Sequence, residues 1–306
     1  MNTIESKASQ KIILFICFLL VMAAFTLMKE LRDFIFVLTV GKKYIPEIKN
    51  LTYILMIPMV SIYAFAASTL NKNKLLIIYS FLYGIIGIFL SYFITHKSIG
   101  LHNEIASYKR IFGWVFYIFV EGIKPFVVSI LWSFFNSISN PNDVKNQYVT
   151  MTIATKIGGV LASGIALYLA SFGILFSINH INLCFYLSII SSIFMLLIAI
   201  AIMYFSYSTR KDNIQGYADK IENNNKQEKN KIKFSSGLKT FFKYPYTLGI
   251  LGMTFFWEII NVIFSYMKIG VGISNTSCKI DFLSFLYENS FWSNISGLAV
   301  AIFGTT

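Results

Sequence analysis

Residues 75–94 read Leu-Leu-Ile-Ile-Tyr-Ser-Phe-Leu-Tyr-Gly-Ile-Ile-Gly-Ile-Phe-Leu-Ser-Tyr-Phe-Ile, without one Asp, Glu, Lys or Arg. A helix of this length rises about 30 Å, the thickness of the hydrocarbon core of a bilayer. The stretch before it, Asn71-Lys72-Asn73-Lys74, is polar, and so is the loop after it at 95–110. Runs of the same kind recur at 12–40, 51–70, 112–138, 149–171, 182–205 and 246–267, and another begins near Phe291. The chain has 306 residues, of which 56% are hydrophobic and only 13% charged, with a mean hydropathy of +0.65. Soluble domains carry roughly 25% charged residues. The expected fold class is therefore an all-α polytopic membrane protein.

The net charge of +12 would point to nucleic acid in a soluble chain. Here it has a topological explanation, because Lys and Arg hold connections on the cytoplasmic side. Alternating the runs across a bilayer puts fourteen Lys and Arg on one side and six on the other before the run at 246–267. Nine of the fourteen lie in the polar segment 206–243, which sets that segment and the N-terminus in the cytoplasm. Asn223-Asn224-Asn225-Lys226-Gln227-Glu228-Lys229 has no apolar periodicity and reads as a linker. Six spans, a basic linker and further spans match a transporter built from two six-helix halves. The expected organisation is a six-helix half at 1–205, the linker at 206–243, and the start of a second half at 244–306, incomplete within this sequence. No phosphate-binding loop, nucleophile elbow or His/Cys metal spacing occurs. Neither an enzyme, a metal site nor a bound cofactor is expected, and Cys17, Cys184 and Cys278 do not form a disulfide framework.

Ionisable residues inside spans are the informative positions, since each costs about 2.5–3.5 kcal/mol at a helix centre and needs a partner or water. The first run contains Lys29-Glu30-Leu31-Arg32-Asp33. At helical spacing Lys29, Arg32 and Asp33 share a face, and Lys29 and Asp33 are spaced for an ion pair. The alternative is that the span ends at Met28 and the charges are interfacial. Glu121 and Lys124 lie three apart before Pro125, able to neutralise each other, as a site or as a structural pair. Lys156, Glu258 and Lys268 complete the set, with snorkelling to the interface as the alternative for the two lysines. Gly158, Gly159, Ala162, Ser163 and Gly164 read as close helix packing.

Three stretches carry a resemblance. The first is Phe25-Thr26-Leu27-Met28-Lys29-Glu30-Leu31-Arg32-Asp33 with Ile45-Pro46-Glu47-Ile48-Lys49. The second is Phe116-Tyr117-Ile118-Phe119-Val120-Glu121 with Ser129-Ile130-Leu131-Trp132-Ser133-Phe134-Phe135-Asn136-Ser137-Ile138, continuing through Asn142 to Tyr148. The third is Lys243-Tyr244-Pro245-Tyr246 with Ile260-Asn261-Val262 and Lys268. Together they resemble the ATP/ADP translocases of intracellular bacteria and plastids, the nucleotide transporter family, over essentially the whole chain and about the first two thirds of a family member. Arg32 stands where the family usually has Lys, Gly122-Ile123-Lys124-Pro125 replaces its Trp-Gly, and its seventh-helix Glu aligns with Phe264, with Glu258 as the nearest substitute. The resemblance implies a major-facilitator-like helical bundle and exchange of ATP for ADP across the cell (inner) membrane. It also implies that Lys29, Arg32, Lys124 and Lys156 present a positive cavity, with Asp33 and Glu121 holding the cations in place when the site is empty. The partners expected are the nucleotides ATP and ADP and the lipid bilayer, with no nucleic acid. Ile-, Asn- and Lys-rich usage fits the AT-rich genome of an intracellular bacterium or parasite. Two other readings remain: a permease of similar fold for another anionic or small solute, and a truncated non-transporting membrane protein or interaction module.

Overall fold

The computed structural model describes residues 2–139, 144–175, 179–208 and 245–304. The basic linker, beyond Ser208, and the loop at 140–143 lie outside the described residues. Among the described residues nine α-helices follow one another: α1 Asn2–Thr39, α2 Ile45–Thr69, α3 Lys72–Ile94, α4 Ile111–Glu121, α5 Ser129–Ile138, α6 Val144–Leu175, α7 His180–Ser208, α8 Pro245–Asn275 and α9 Lys279–Phe303. There is no strand among the described residues. Among the described residues seven spans are long and apolar enough to cross a membrane, α4 and α5 counting as one broken span from Ile111 to Ile138. The protein is a multi-pass helical membrane protein.

The charged stretch of the first run does not end its helix. α1 is continuous to Thr39, so Lys29, Glu30, Arg32 and Asp33 lie within a span rather than at its edge. Gly41, at φ 113°, lets the chain leave the helix while its N–H and that of Val40 bond the Phe36 carbonyl. α2 then starts at Ile45 with Pro46 in its first turn, six residues before the apolar run, and takes Lys49 into the helix. The broken span has a clear cause. Pro125 cannot continue the hydrogen-bond ladder, and residues Lys124–Val128 form a π-helical turn between α4 and α5.

The last element corrects the reading of a span from Phe291. The helix begins twelve residues earlier, at Lys279, and carries Lys279, Asp281 and Glu288, so it is not among the seven spans of sufficient apolarity. Its burial follows helical periodicity rather than a continuous run: Ile280, Leu283, Tyr287 and Ser290 face the bundle, as do Phe282 and Leu286. Phe291 meets α6 at Gly164, Asn294 meets it at Gly159 and Lys156 meets α9 at Gly297, so α9 runs antiparallel to α6.

α1 is the hub. It packs against α6, α7, α4 and α9, burying Phe18, Val21, Ala24, Leu31 and Phe34 completely. Small residues set the closest approaches, as the glycine spacing anticipated. Gly158 lies directly against the backbone of Leu19. Across α7, Ser191 Oγ donates to the Ala24 carbonyl at 2.9 Å, and Ser91 of α3 donates to Ser188 at 2.7 Å. By contrast α2 and α8 bury 6% and 0% of their apolar windows, surface compatible with lipid. Between α3 and α4 the Arg110 guanidinium gathers the carbonyls of Ile99, Asn103 and Ile105, at 2.8–3.2 Å, and folds the 95–110 loop around itself. Lys279 at the start of α9 clasps Glu104 of that loop at 2.6 Å.

Two outcomes are expected. In Gly158→Ala the new methyl meets the Leu19 carbonyl and should lower stability by about 1–3 kcal/mol, read as detergent-solubilised thermal unfolding, whereas Gly249→Ala, with nothing within 4 Å, should be neutral or slightly stabilising. The Lys279 ammonium holds the Glu104 carboxyl below its usual range. A depressed carboxyl adds stability that is complete above the ordinary pKa of about 4.3 and lost as pH falls through the lowered value. A spin label on the loop should therefore become mobile on acidification below that range, and be mobile at neutral pH in Glu104→Gln.

Candidate functional site

Two charge clusters diverge from opposite sides of α1, centred on Arg32 and Glu30. Arg32, 7% exposed, donates to Asp33 Oδ1 from Nε at 2.9 Å and from Nη2 at 2.8 Å. Its Nη1 reaches across to Glu121 of α4, and its guanidinium carbon lies 4.5 Å from the centre of the Tyr117 ring. The second cluster forms around Glu30, which is fully buried. Lys268 of α8 bonds Glu30 Oε2 at 2.7 Å, Ser290 of α9 donates to Oε1 at 3.0 Å, and Lys29 stands 3.6 Å away. Next to it, the Tyr287 hydroxyl donates to the Leu27 carbonyl at 2.9 Å.

Between α1, α2, α4, α8 and α9 these clusters border a cavity of about 600 Å³. Its charged walls are Lys29, Arg32, Lys49, Lys124 and Lys268 on the positive side and Glu121 and Glu258 on the negative. Asn261, Ser265, Asn289 and Ser293 add uncharged hydrogen-bonding groups, and Phe25, Phe264 and Phe285 add apolar surface. Arg32 and Lys268 have carboxylate partners, whereas Lys49 and Lys124 have none within 4.0 Å among the described residues. Tyr53 of α2 interacts with Glu258 at this wall.

Six of the eight residues singled out in the sequence line this cavity: Lys29, Arg32, Glu121, Lys124, Glu258 and Lys268. Asp33 does not; it is buried behind Arg32, with Oδ2 lacking a partner among the described residues. Lys156 does not either, since its ammonium lies against Gly297 of α9, away from both clusters. Two expected pairings are replaced. Asp33 bonds Arg32 rather than Lys29, and Glu121 bonds Arg32 rather than Lys124. In each case a guanidinium with several donors in a fixed fork outcompetes a single ammonium for the carboxylate. Lys268 does not snorkel; its side chain is 12% exposed because Glu30 holds it inside.

Two participants escaped sequence reasoning. Glu30 points about 100° around the helix from Lys29, so same-face spacing leaves it out although it stands in the quoted charged stretch. Lys49 precedes the apolar run at 51–70, so a search for charges inside such runs leaves it out. Among the described residues no three His, Cys, Asp or Glu converge as metal ligands.

Fold and site together define the class: a multi-pass helical membrane protein with a mixed-charge, predominantly basic cavity inside its bundle. No protein-family model, no curated protein and no solved structure matches the chain.

Removing one partner of a buried ion pair strands the other. Lys268→Met should therefore lower the unfolding free energy in detergent by about 3–5 kcal/mol, and Lys268→Met combined with Glu30→Gln should recover much of that loss. A double variant no more stable than the single one would show that the two charges are not coupled.

Proposed function

We propose that this chain is a carrier of anionic solutes, of which the adenine nucleotides ATP and ADP are the leading candidates, working by alternating access within a major-facilitator-like bundle. The observation that carries the reading is the cavity between α1, α2, α4, α8 and α9, where five cations face two carboxylates and two of the cations, Lys49 and Lys124, have no acidic partner within 4.0 Å among the described residues. Uncompensated positive charge inside a membrane bundle is costly. It persists where an anion or water completes it. A volume of about 600 Å³ falls within the ~300–1,000 Å³ of small-molecule sites.

A nucleotide offers several phosphate charges to such a wall and leaves its sugar and base for neutral contacts. Lys49 and Lys124 are free to meet phosphate oxygens. Arg32 is held in place by Asp33 and presents its face beside them. Asn261, Ser265, Asn289 and Ser293 can take the hydroxyls and ring nitrogens, and the phenylalanines the base. The likeness of the charged stretches to the nucleotide transporters favours nucleotides over other anions of the same charge.

The test is uptake of labelled ATP by proteoliposomes loaded with ADP. Excess ADP should compete, and unrelated anions should not. Charge-assisted hydrogen bonds contribute about 1.5–3 kcal/mol each, or roughly ten- to a hundredfold in apparent affinity. Lys49→Gln and Lys124→Gln should each weaken uptake by about that factor with membrane insertion intact, and Arg32→Gln should abolish exchange. Competition by any small anion, with nucleotides no better, would make the protein a permease for another solute. Full exchange in the Lys49→Gln/Lys124→Gln double variant would overturn the cavity as the site.

A further inference from the structure

The second half of the broken span has a polar face that the basic cavity does not use. Ser129, Ser133, Asn136 and Ser137 fall at positions i, i+4, i+7 and i+8 of α5, on one side of the helix. The other side, Ile130, Leu131, Phe134 and Phe135, is buried in the core. The polar side opens on a separate cavity of about 510 Å³, lined by these four residues, Trp132 and Lys72 at the start of α3. Two of the polar groups are satisfied by backbone: Ser137 Oγ donates to the Phe134 carbonyl at 2.7 Å and Ser129 Oγ to the Lys124 carbonyl at 3.4 Å. Ser133 and Asn136 make no hydrogen bond among the described residues, and Lys72 makes no ion pair there.

Ser129 lies nine residues, about 14 Å, above the end of α5. A polar stripe of that length cannot face hydrocarbon without loss, so this side of the span is hydrated. The π-helical turn lies between the two cavities. Lys124 lines the basic cavity, and its carbonyl receives the hydroxyl of Ser129, which lines the other. From Lys124 to Asn136 the polar groups descend about 18 Å toward the end of the bundle that the loop charges assign to the cytoplasm. Trp132, at 4.5 Å between ring centres from both Phe18 and Tyr148, packs against both and walls the groove.

We infer that the polar face of α5 is the cytoplasmic arm of the aqueous route to the basic cavity, and that Lys72 with Ser133 and Asn136 forms a staging site for the anionic group of the solute. The inference rests on the transport reading for the identity of that solute, but the route itself is defined by hydration and charge. Lys72 attracts an anion to the groove mouth, the hydroxyls and amide replace part of its water shell, and Lys124 receives it. A groove with low-dielectric walls focuses the field of both cations along its length.

The experiment is cysteine accessibility in inside-out membrane vesicles, in a Cys278→Ser background that leaves only the buried Cys17 and Cys184. Ser133→Cys and Asn136→Cys should react with a membrane-impermeant anionic methanethiosulfonate about tenfold or more faster than Ile78→Cys. Ile78 lies at similar depth on α3 and is exposed away from the groove. Adding Lys72→Gln should reduce the ratio of anionic to cationic reagent rates at Ser133→Cys several-fold. Lys72 is exposed at a helix end, so this change does not threaten folding. Rates at Ser133→Cys and Asn136→Cys no faster than at Ile78→Cys would overturn the route, and an unchanged charge ratio would overturn the role of Lys72. Slowing of the Ser129→Cys reaction by ATP supports the nucleotide as the solute. Fast labelling that ATP leaves unchanged keeps the route and removes the nucleotide.

Discussion

A fully buried carboxylate in the middle of a membrane helix must find a cation, and Glu30 finds it on α8, with a hydrogen bond from α9. Two residues on, and on the opposite side of the helix, Arg32 has the opposite need, and meets it with Asp33 of its own helix and Glu121 of α4. The stretch from Lys29 to Asp33 carries two cations and two anions, so it is neutral overall, but its charges point in different directions. Each at a helix centre would cost about 2.5–3.5 kcal/mol if left alone. Pairing outward rather than along the helix ties α4, α8 and α9 to the hub by directional contacts that apolar packing alone does not supply.

Packing supplies the rest of the order. In hydrocarbon there is no hydrophobic drive between helices, so close approach depends on small residues and shared hydrogen bonds. Gly158 against Leu19, Ser191 on the Ala24 carbonyl and the Ser91–Ser188 bond hold α1, α3, α6 and α7 as one block. α2 and α8 bury little against that block. The gap they leave becomes the cavity that the charges of α1 and α4 face.

The spans were legible in the sequence because bilayer thickness imposes run length directly, and 75–94 is bounded by α3 to within a few residues. Six of the site residues were legible for a related reason: an ionisable group inside such a run stands out against its surroundings. What spacing could not supply was the partner. Glu121 has Lys124 three residues away, yet it bonds Arg32, eighty-nine residues earlier in the chain. Lys156 stands out in its run as Lys124 does, yet its ammonium lies against Gly297 of α9 and not in the cavity. Glu30 and Lys49 were passed over by rules of face and run that see one helix at a time. The start of α9 is not marked by a continuous run, because its first half alternates buried apolar residues with Lys279, Asp281, Glu288 and other polar ones.

The two clusters share an asymmetry that bears on how an occupied cavity would differ from an empty one. Arg32 has one partner that is 2% exposed, Asp33, and one that is 38% exposed, Glu121. Glu30 has Lys268 at 12% exposure and 2.7 Å, and Lys29 at 41% exposure and 3.6 Å. Separating a buried pair leaves a charge without solvent and costs several kcal/mol. Separating a half-hydrated one leaves a charge that water can take over, which costs far less. Each cluster therefore has a fixed member and a loose member, and both loose members, Glu121 and Lys29, line the cavity. An anion entering beside Lys124 would repel Glu121 and attract Lys29, and neither movement would disturb the Arg32–Asp33 or Glu30–Lys268 contacts. The framework that keeps charge inside the bundle is thus separable from the groups that can respond to a charged solute, and that separation lets one cavity be both stably folded and electrostatically adjustable.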